Sequence, residues 1–196
     1  MSRLPAAQRR EQLLDRALTL FSEHGYARAT TAQLAKAAGV TEPIIYRHFA
    51  SKKDLFIALI RRTGERTLAL WEKDLTNAPD PAERLRLLIE DNPMVSEDGK
   101  EEYRVFLQAI TEVDDPQIRE ALRDHIVGLH SFLTRELRTA QSEQKVGPRF
   151  TPELIAWLLI NIGMGYGVLS AMQIGGHGRD EAGVHVVDAI KTLLVG

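Results

Sequence analysis

Between Thr30 and Lys53 the chain reads TTAQLAKAAGVTEPIIYRHFASKK, with hydroxyl, guanidinium, imidazole and ammonium side chains set among small apolar ones. Groups of these kinds recognise a partner by hydrogen bond and charge. Reactive chemistry has no comparable signature. The sequence contains neither a glycine-rich phosphate loop nor a GxSxG nucleophile elbow. It has no cysteine, which excludes disulfides and thiolate metal sites. The six histidines are scattered, and His125 and His130 stand five apart, a spacing that suits one helix face less well than four. Acidic residues lie on solvated helix faces, and no catalytic pair can be picked out among them. Neither an enzyme nor a bound metal or cofactor is expected.

Two short helices must position the recognition groups. Thr30 stands three residues before Gln33, a capping box that opens the helix TAQLAKAA. Gly39 ends it, and Ala38-Gly39-Val40 make a tight turn. Thr41 caps the next helix, TEPIIYRHF, whose first turn tolerates Pro43. Leu34, Ala35, Ala38, Val40, Ile45 and Phe49 are placed to bury between the two. This is helix-turn-helix geometry, in which the second helix enters a major groove. Before it, a helix from about Pro5 to His24 carries the stripe Leu13, Leu14, Ala17, Leu18 and Phe21. After it, Ser51 and Asp54 form a second capping box, opening a long fourth helix towards Leu75. Charge follows the same division: residues 1–66 hold 12 Lys+Arg against 6 Asp+Glu, and the remainder 13 against 21. A basic front and an acidic back suggest that only the front meets a polyanion.

Helical periodicity continues to the end of the chain, with no sustained period-two alternation. Asp80-Pro81, Asp115-Pro116 and Thr151-Pro152 each read as a helix start, and Asn92-Pro93 as a stop. The fold expected is all-α with about nine helices. It divides into a helix-turn-helix domain over residues 1–50 and a helical domain over 51–196, with the fourth helix, about 52–75, connecting them. The opening residues lack a signal-peptide core, so a cytoplasmic protein is expected. One stretch, Leu154 to Gln173, carries no charge and approaches the ~20 residues of a bilayer span. Asn161, Ser170, Gln173 and three glycines lower its hydrophobicity, and its flanks lack a cationic anchor, so a buried soluble helix is the preferred reading.

The run GVTEPIIYRHFASKKDLF, with FSEHGYARATT before it, resembles the DNA-binding domain of the TetR family of transcriptional regulators. The resemblance covers roughly residues 8–60. It implies phosphate contacts from Thr31, Thr41, Tyr46, His48 and Lys52, aided by backbone N–H groups at helix N-termini. Glu42, Pro43, Ile44 and Arg47 would lie nearest the base edges. Arg47 could bond guanine, Glu42 could accept from cytosine, and Pro43 and Ile44 offer apolar contact. Many members carry a hydroxyl residue where Ile44 stands, so polar readout is not expected there. Arg3, Arg9 and Arg10 read either as DNA contacts from an arm or as a solvated tail.

The resemblance also implies a homodimer, with the last two helices of each copy in a four-helix bundle. Gly163, Gly167 and Ala171 would allow close approach there. A ligand pocket is implied in the second domain, with Trp71, Tyr103, Phe106, Trp157, Asn161 and Met164 as candidates. The function expected is that of a regulator, read as a repressor, released from a near-palindromic double-stranded operator by an unidentified small molecule, with no membrane partner. The alternatives are a membrane-anchored sensor spanning at Leu154–Gln173, and an all-helical enzyme with an incidental helix-turn-helix.

Overall fold

The computed structural model describes residues 4–76, 78–90, 92, 99–174 and 176–195. Arg3, Pro93 and most of the loop expected before Lys100 lie outside the described residues. Nine helices run along the described chain: α1 (Ala6–His24), α2 (Thr31–Ala38), α3 (Glu42–Tyr46), α4 (Lys52–Leu75), α5 (Pro81–Glu90), α6 (Lys100–Ile110), α7 (Pro116–Ser142), α8 (Pro152–Ala171) and α9 (Val186–Val195). The only β pairing among the described residues is an isolated bridge between Arg179 and His185. The all-helical expectation therefore holds.

Local chemistry accounts for most boundaries. The capping box at Thr30 is complete: its hydroxyl accepts from Gln33 N–H and its own N–H donates to the Gln33 side chain. Gly39 closes α2 in the left-handed region at φ +64°, where a side chain would strain the backbone. Ser51 caps α4 by accepting from Asp54 N–H, and Asp115 and Thr151 cap α7 and α8 with their side-chain oxygens. Thr41 occupies the N-cap position of α3, but its hydroxyl makes no capping bond. The α3 helix proper is short, and Arg47 and His48 continue it as a turn.

The first core cluster joins α1, α2, α3 and the start of α4 to α6 and the beginning of α7. At its centre Phe21 meets Phe56 and Tyr26 edge-on, while Tyr26 stacks on Phe56 at 3.9 Å. The second cluster, around Trp71, Leu85, Leu129, Leu133, Leu137 and Ile155, joins the end of α4 to α5, α7 and α8. Helix α4 thus belongs to both. Its buried Arg62 donates to Asp15 at 2.8 Å and Glu11 at 3.3 Å, fastening α1 to α4.

Helix α8 is not buried all round in the single chain. Ile155, Ala156, Ile160 and Gly163 face the core, whereas Leu154, Trp157, Leu158, Leu169 and Met172 are exposed. The helix is long and apolar enough to cross a membrane by length and composition. Crossing one would require pulling its inner face out of the second core cluster, where Ile155, Ala156 and Ile160 pack with Leu133 and Leu137.

Candidate nucleic-acid interface and ligand cavity

Helix α3 is held by its inner face. Ile45 is 1% and Phe49 4% exposed, both within the first core cluster. That burial turns Thr41, Pro43, Tyr46 and Arg47 to solvent, with Glu42, Ile44 and His48 half-buried beside them. A surface groove lined by Leu4, Arg9, Thr41, Ile44, Arg47 and His48 runs past the α2–α3 turn. Thr31, at the first turn of α2, donates to the Glu42 carboxylate at 2.7 Å and lies 3.2 Å from the Tyr46 hydroxyl. These three candidate contacts therefore form one hydrogen-bonded cluster across the two helices, which holds the Tyr46 phenol and the Glu42 carboxylate in place.

Lys52 departs from its expected phosphate role. Its ammonium donates to the carbonyls of Tyr26 at 3.0 Å, Ala27 at 3.3 Å and Ala29 at 3.0 Å. It also sits over the Tyr26 ring, 4.6 Å from the centroid. An ammonium has three N–H donors, and three carbonyls occupy them. Lys52 is thus the clasp of the α1–α2 loop. Arg10 lies in α1 with its guanidinium over the Phe49 ring, 5.0 Å from the centroid, rather than in an arm.

Side chains from the second domain reach the same region. Gln108 of α6 donates from Nε2 to the Phe21 carbonyl at 3.0 Å and accepts from Tyr26 N–H at 2.9 Å. Lys53 pairs with Asp115, at the N-cap of α7, at 2.9 Å. That ammonium, with the Gln117 and Ile118 N–H groups, holds the Asp115 carboxyl below its usual range. Nothing in the local sequence pattern pointed to Gln108, whose partners are 82 and 87 residues away. Gln108→Leu should leave the Tyr26 N–H without its acceptor and lower stability by about 1–3 kcal/mol. Urea unfolding of the two proteins checks this, and an unchanged midpoint would show the pairing to be idle.

The second domain contains a narrow, open-mouthed crevice with a volume of about 40 Å³, so a larger guest must part its walls. Its walls come from α4, α5, α6, α7, α8 and α9, and they include Trp71, Leu88, Tyr103, Leu133, Ile160 and Val187. Trp71 and Tyr103, of the six expected pocket residues, line it. The other four do not. Phe106 packs in the first core cluster, and Met164 is partly buried against both clusters. Trp157 is 42% exposed and stacks on His130, and Asn161 is exposed on the outer face of α8. For Trp157, Asn161 and Met164 the physical reason is the phase of α8: a helix apolar on every side does not indicate which residues turn inward. The same phase corrects Gly163, expected at a dimer interface but buried against the crevice. Gly167 is half-buried and Ala171 exposed. Gly165, not singled out from the sequence, is exposed with open space beside it.

Tyr103 sits where the crevice meets the first core cluster. Its hydroxyl lies 3.2 Å from Nε2 of buried His125, and burial pushes its pKa up to about 12, so it stays protonated. Burial also lowers the His125 pKa to about 4. His125 Nδ1 has no hydrogen-bond partner and faces Gly64 of α4, where an added Cβ would lie only 2.6 Å away. Glycine at position 64 is therefore what lets α4 and α7 approach. One helix, α6, thus carries Tyr103 at the crevice and Gln108 at the α1–α2 loop.

Comparison with known proteins adds to this geometry. Residues 13–59 match the family model for bacterial regulatory proteins of the tetR family. Residues 81–195 match the model for the C-terminal part of BetI-type transcriptional repressors. The nucleoid occlusion factor SlmA of Vibrio atlanticus is 33% identical over 141 residues, covering 71% of this chain and 70% of its own. The transcriptional activator FasR of Mycolicibacterium smegmatis is 32% identical over 117 residues, 60% of this chain and about half (53%) of FasR. Among solved structures, a transcriptional regulator from Saccharomonospora viridis in complex with choline superposes with a TM-score of 0.79 at 25% identity, covering 95% of this chain and 93% of that one. The Bacillus subtilis FadR structure with stearoyl-CoA shares the fold at a TM-score of 0.74 and 18% identity, covering 95% and 97% of the two chains.

Proposed function

Because the chain belongs to the TetR family of bacterial regulatory proteins, which includes ligand-responsive DNA-binding transcriptional regulators, we propose that it acts in the cytoplasm as a homodimeric repressor released from its operator by a small molecule. The observation that carries this reading is the exposure of Thr41, Pro43, Tyr46 and Arg47 on a helix anchored by buried Ile45 and Phe49. Each copy places α3 in a major groove, and two-fold symmetry then calls for a near-palindromic operator. Thr41 and His48 grip phosphates with their side chains, Thr31 does so through its backbone N–H in the first turn of α2, and Tyr46 does so by turning its hydroxyl from Thr31 to the phosphate. Arg47 reaches a base edge, Glu42 stands ready to accept from a cytosine amino group, and Pro43 and Ile44 make apolar contact. The domain boundary falls at the start of α4, which both halves share.

The two copies meet through the exposed face of α8, with α9 alongside. Gly165 and Ala171 allow close approach there, and Gly167 lies at the edge of that contact. The effector enters the crevice between α4 and α9. Two devices support transmission: α4 is built into both core clusters, and α6 links Tyr103 at the crevice to Gln108 at the α1–α2 loop. An effector shifts this equilibrium only by its difference in affinity for the two states. Moving it from 1:99 to 99:1 takes about 5.5 kcal/mol.

Selection from random DNA with the purified protein, followed by titration at several salt concentrations, tests the proposal. A palindromic consensus bound with a steep salt dependence is expected. Recovery of no consensus would refute it. On the selected operator, Arg47→Ala should change sequence preference by about 1–3 kcal/mol at the position it reads. Uniform weakening on every sequence would assign Arg47 to phosphate instead.

A further inference from the structure

We propose that the crevice is built for an uncharged, largely apolar molecule carrying one hydrogen-bond acceptor, which the Trp71 indole N–H receives. The inference rests on the reading of the crevice as the effector site, and it names the chemistry of the effector.

Among the described residues, the walls hold no Asp, Glu, Lys, Arg or His. An ion entering would lose its hydration, and no described wall residue offers it an opposite charge in return. The polar side chains among the walls are Trp71, Asn92, Tyr103 and Tyr166. The Tyr103 hydroxyl is engaged with His125, and the Tyr166 hydroxyl with His185 Nε2 at 3.1 Å. Asn92 has an interaction partner of its own. Trp71 differs. It is 3% exposed, and its Nε1 is buried with no hydrogen-bond partner among the described residues. A buried donor without an acceptor is costly, so a carbonyl, ether or hydroxyl oxygen brought in by a ligand recovers that loss.

Three aromatic residues, Trp71, Tyr103 and Tyr166, line the crevice. The ring contacts of Trp71 are with Phe132, those of Tyr103 with Phe106 and His125, and those of Tyr166 with His177 and His185. Among the described residues, none of the three makes a ring contact with either of the others. With no charged side chain among the described walls, the chemistry expected here is closer to an acyl chain with a neutral polar end than to an ion.

The test uses three ten-carbon chains with different ends, each below its micellar concentration: decan-2-one, decanoate and decyltrimethylammonium, with choline chloride alongside. Full-length protein carrying Trp157→Phe keeps Trp71 as its only tryptophan, so Trp71 emission reports binding in the crevice. Decan-2-one should bind at least tenfold tighter than either ion or choline. By calorimetry, Trp71→Phe should weaken decan-2-one five- to tenfold. An ion or choline that matches the ketone overturns the inference, as does failure of the ketone to bind. An unchanged ketone affinity in a folded Trp71→Phe protein overturns the assignment of the donor. If Trp71→Phe does not fold, the comparison of chain ends on the Trp157→Phe protein still decides. The DNA selection is independent of these results. An operator consensus with no ketone binding would refute the ligand chemistry and keep the regulator. Trp71-dependent ketone binding with no consensus would keep the ligand chemistry and remove the regulator.

Discussion

Leu158→Arg is expected to convert the protein to a monomer and to abolish tight operator binding. Leu158 is 47% exposed on the outer face of α8, on a stripe with Leu154, Leu169 and Met172. These positions recur at helical spacing, with Asn161 and Gly165 between them, so a partner helix finds one continuous apolar seam. Burying a leucine side chain contributes about 1.5–3 kcal/mol. In an isologous interface the substitution occurs twice, and each arginine must also be desolvated or expelled. With about half of Leu158 already buried in the single chain, the two copies together lose about 1.5–3 kcal/mol of apolar burial, or one to two decades in the dimer dissociation constant, and desolvating each arginine adds to this. The single chain should remain folded, because the altered face lies outside both core clusters. Sedimentation equilibrium and operator titration measure the two effects. A variant that stays dimeric at micromolar concentration would place the interface elsewhere.

Acidification should destabilise the protein through His125. The imidazole is neutral in the folded chain, with a pKa of about 4, and returns on unfolding to about 6.5. The unfolded state therefore binds the extra proton, and stability falls as pH drops. The contribution is complete above about pH 6.5 and is lost progressively down to about pH 4. It amounts to about 3 kcal/mol in full. Within the window the slope approaches about 1.4 kcal/mol per pH unit from this group alone. In His125→Gln, which cannot titrate, that part of the slope should vanish while the contribution of the surface carboxylates persists. Parallel stability–pH curves for the two proteins would show that His125 does not titrate across folding. The cause is packing: the ring is wedged beneath Gly64, with one nitrogen facing the Tyr103 hydroxyl and the other facing no partner.

Much of the candidate interface was legible before the fold was known because the forces that build it act within a few residues. The Thr30–Gln33 box, the left-handed Gly39, the caps at Ser51, Asp115 and Thr151, and burial of Ile45 and Phe49 all follow from residue type at short spacing. The helix-turn-helix and the family it resembles could be read on those grounds. Thr41, Tyr46 and Arg47 face solvent because the apolar residues between them face in.

Other features depended on partners far along the chain. Lys52 belongs to the same motif, yet its long flexible stem turns back to carbonyls 23 to 26 residues away, and no local pattern tells an ammonium which acceptors will be near. Gln108 reads as an ordinary polar helix residue until α1 packs against α6. Helix α8 gave the least warning. Apolar residues on all sides carry no phase, so Gly163 turned inward, Gly165 outward, and Trp157 and Asn161 away from the crevice. Sequence alone determined the helices, their ends and the face that α3 presents, because short-range hydrogen bonds and periodic burial decide those. Tertiary packing decided the crevice, its unpaired Trp71 N–H, the Lys52 clasp of the α1–α2 loop and the Gln108 link between the domains, because each exists only where separate segments meet.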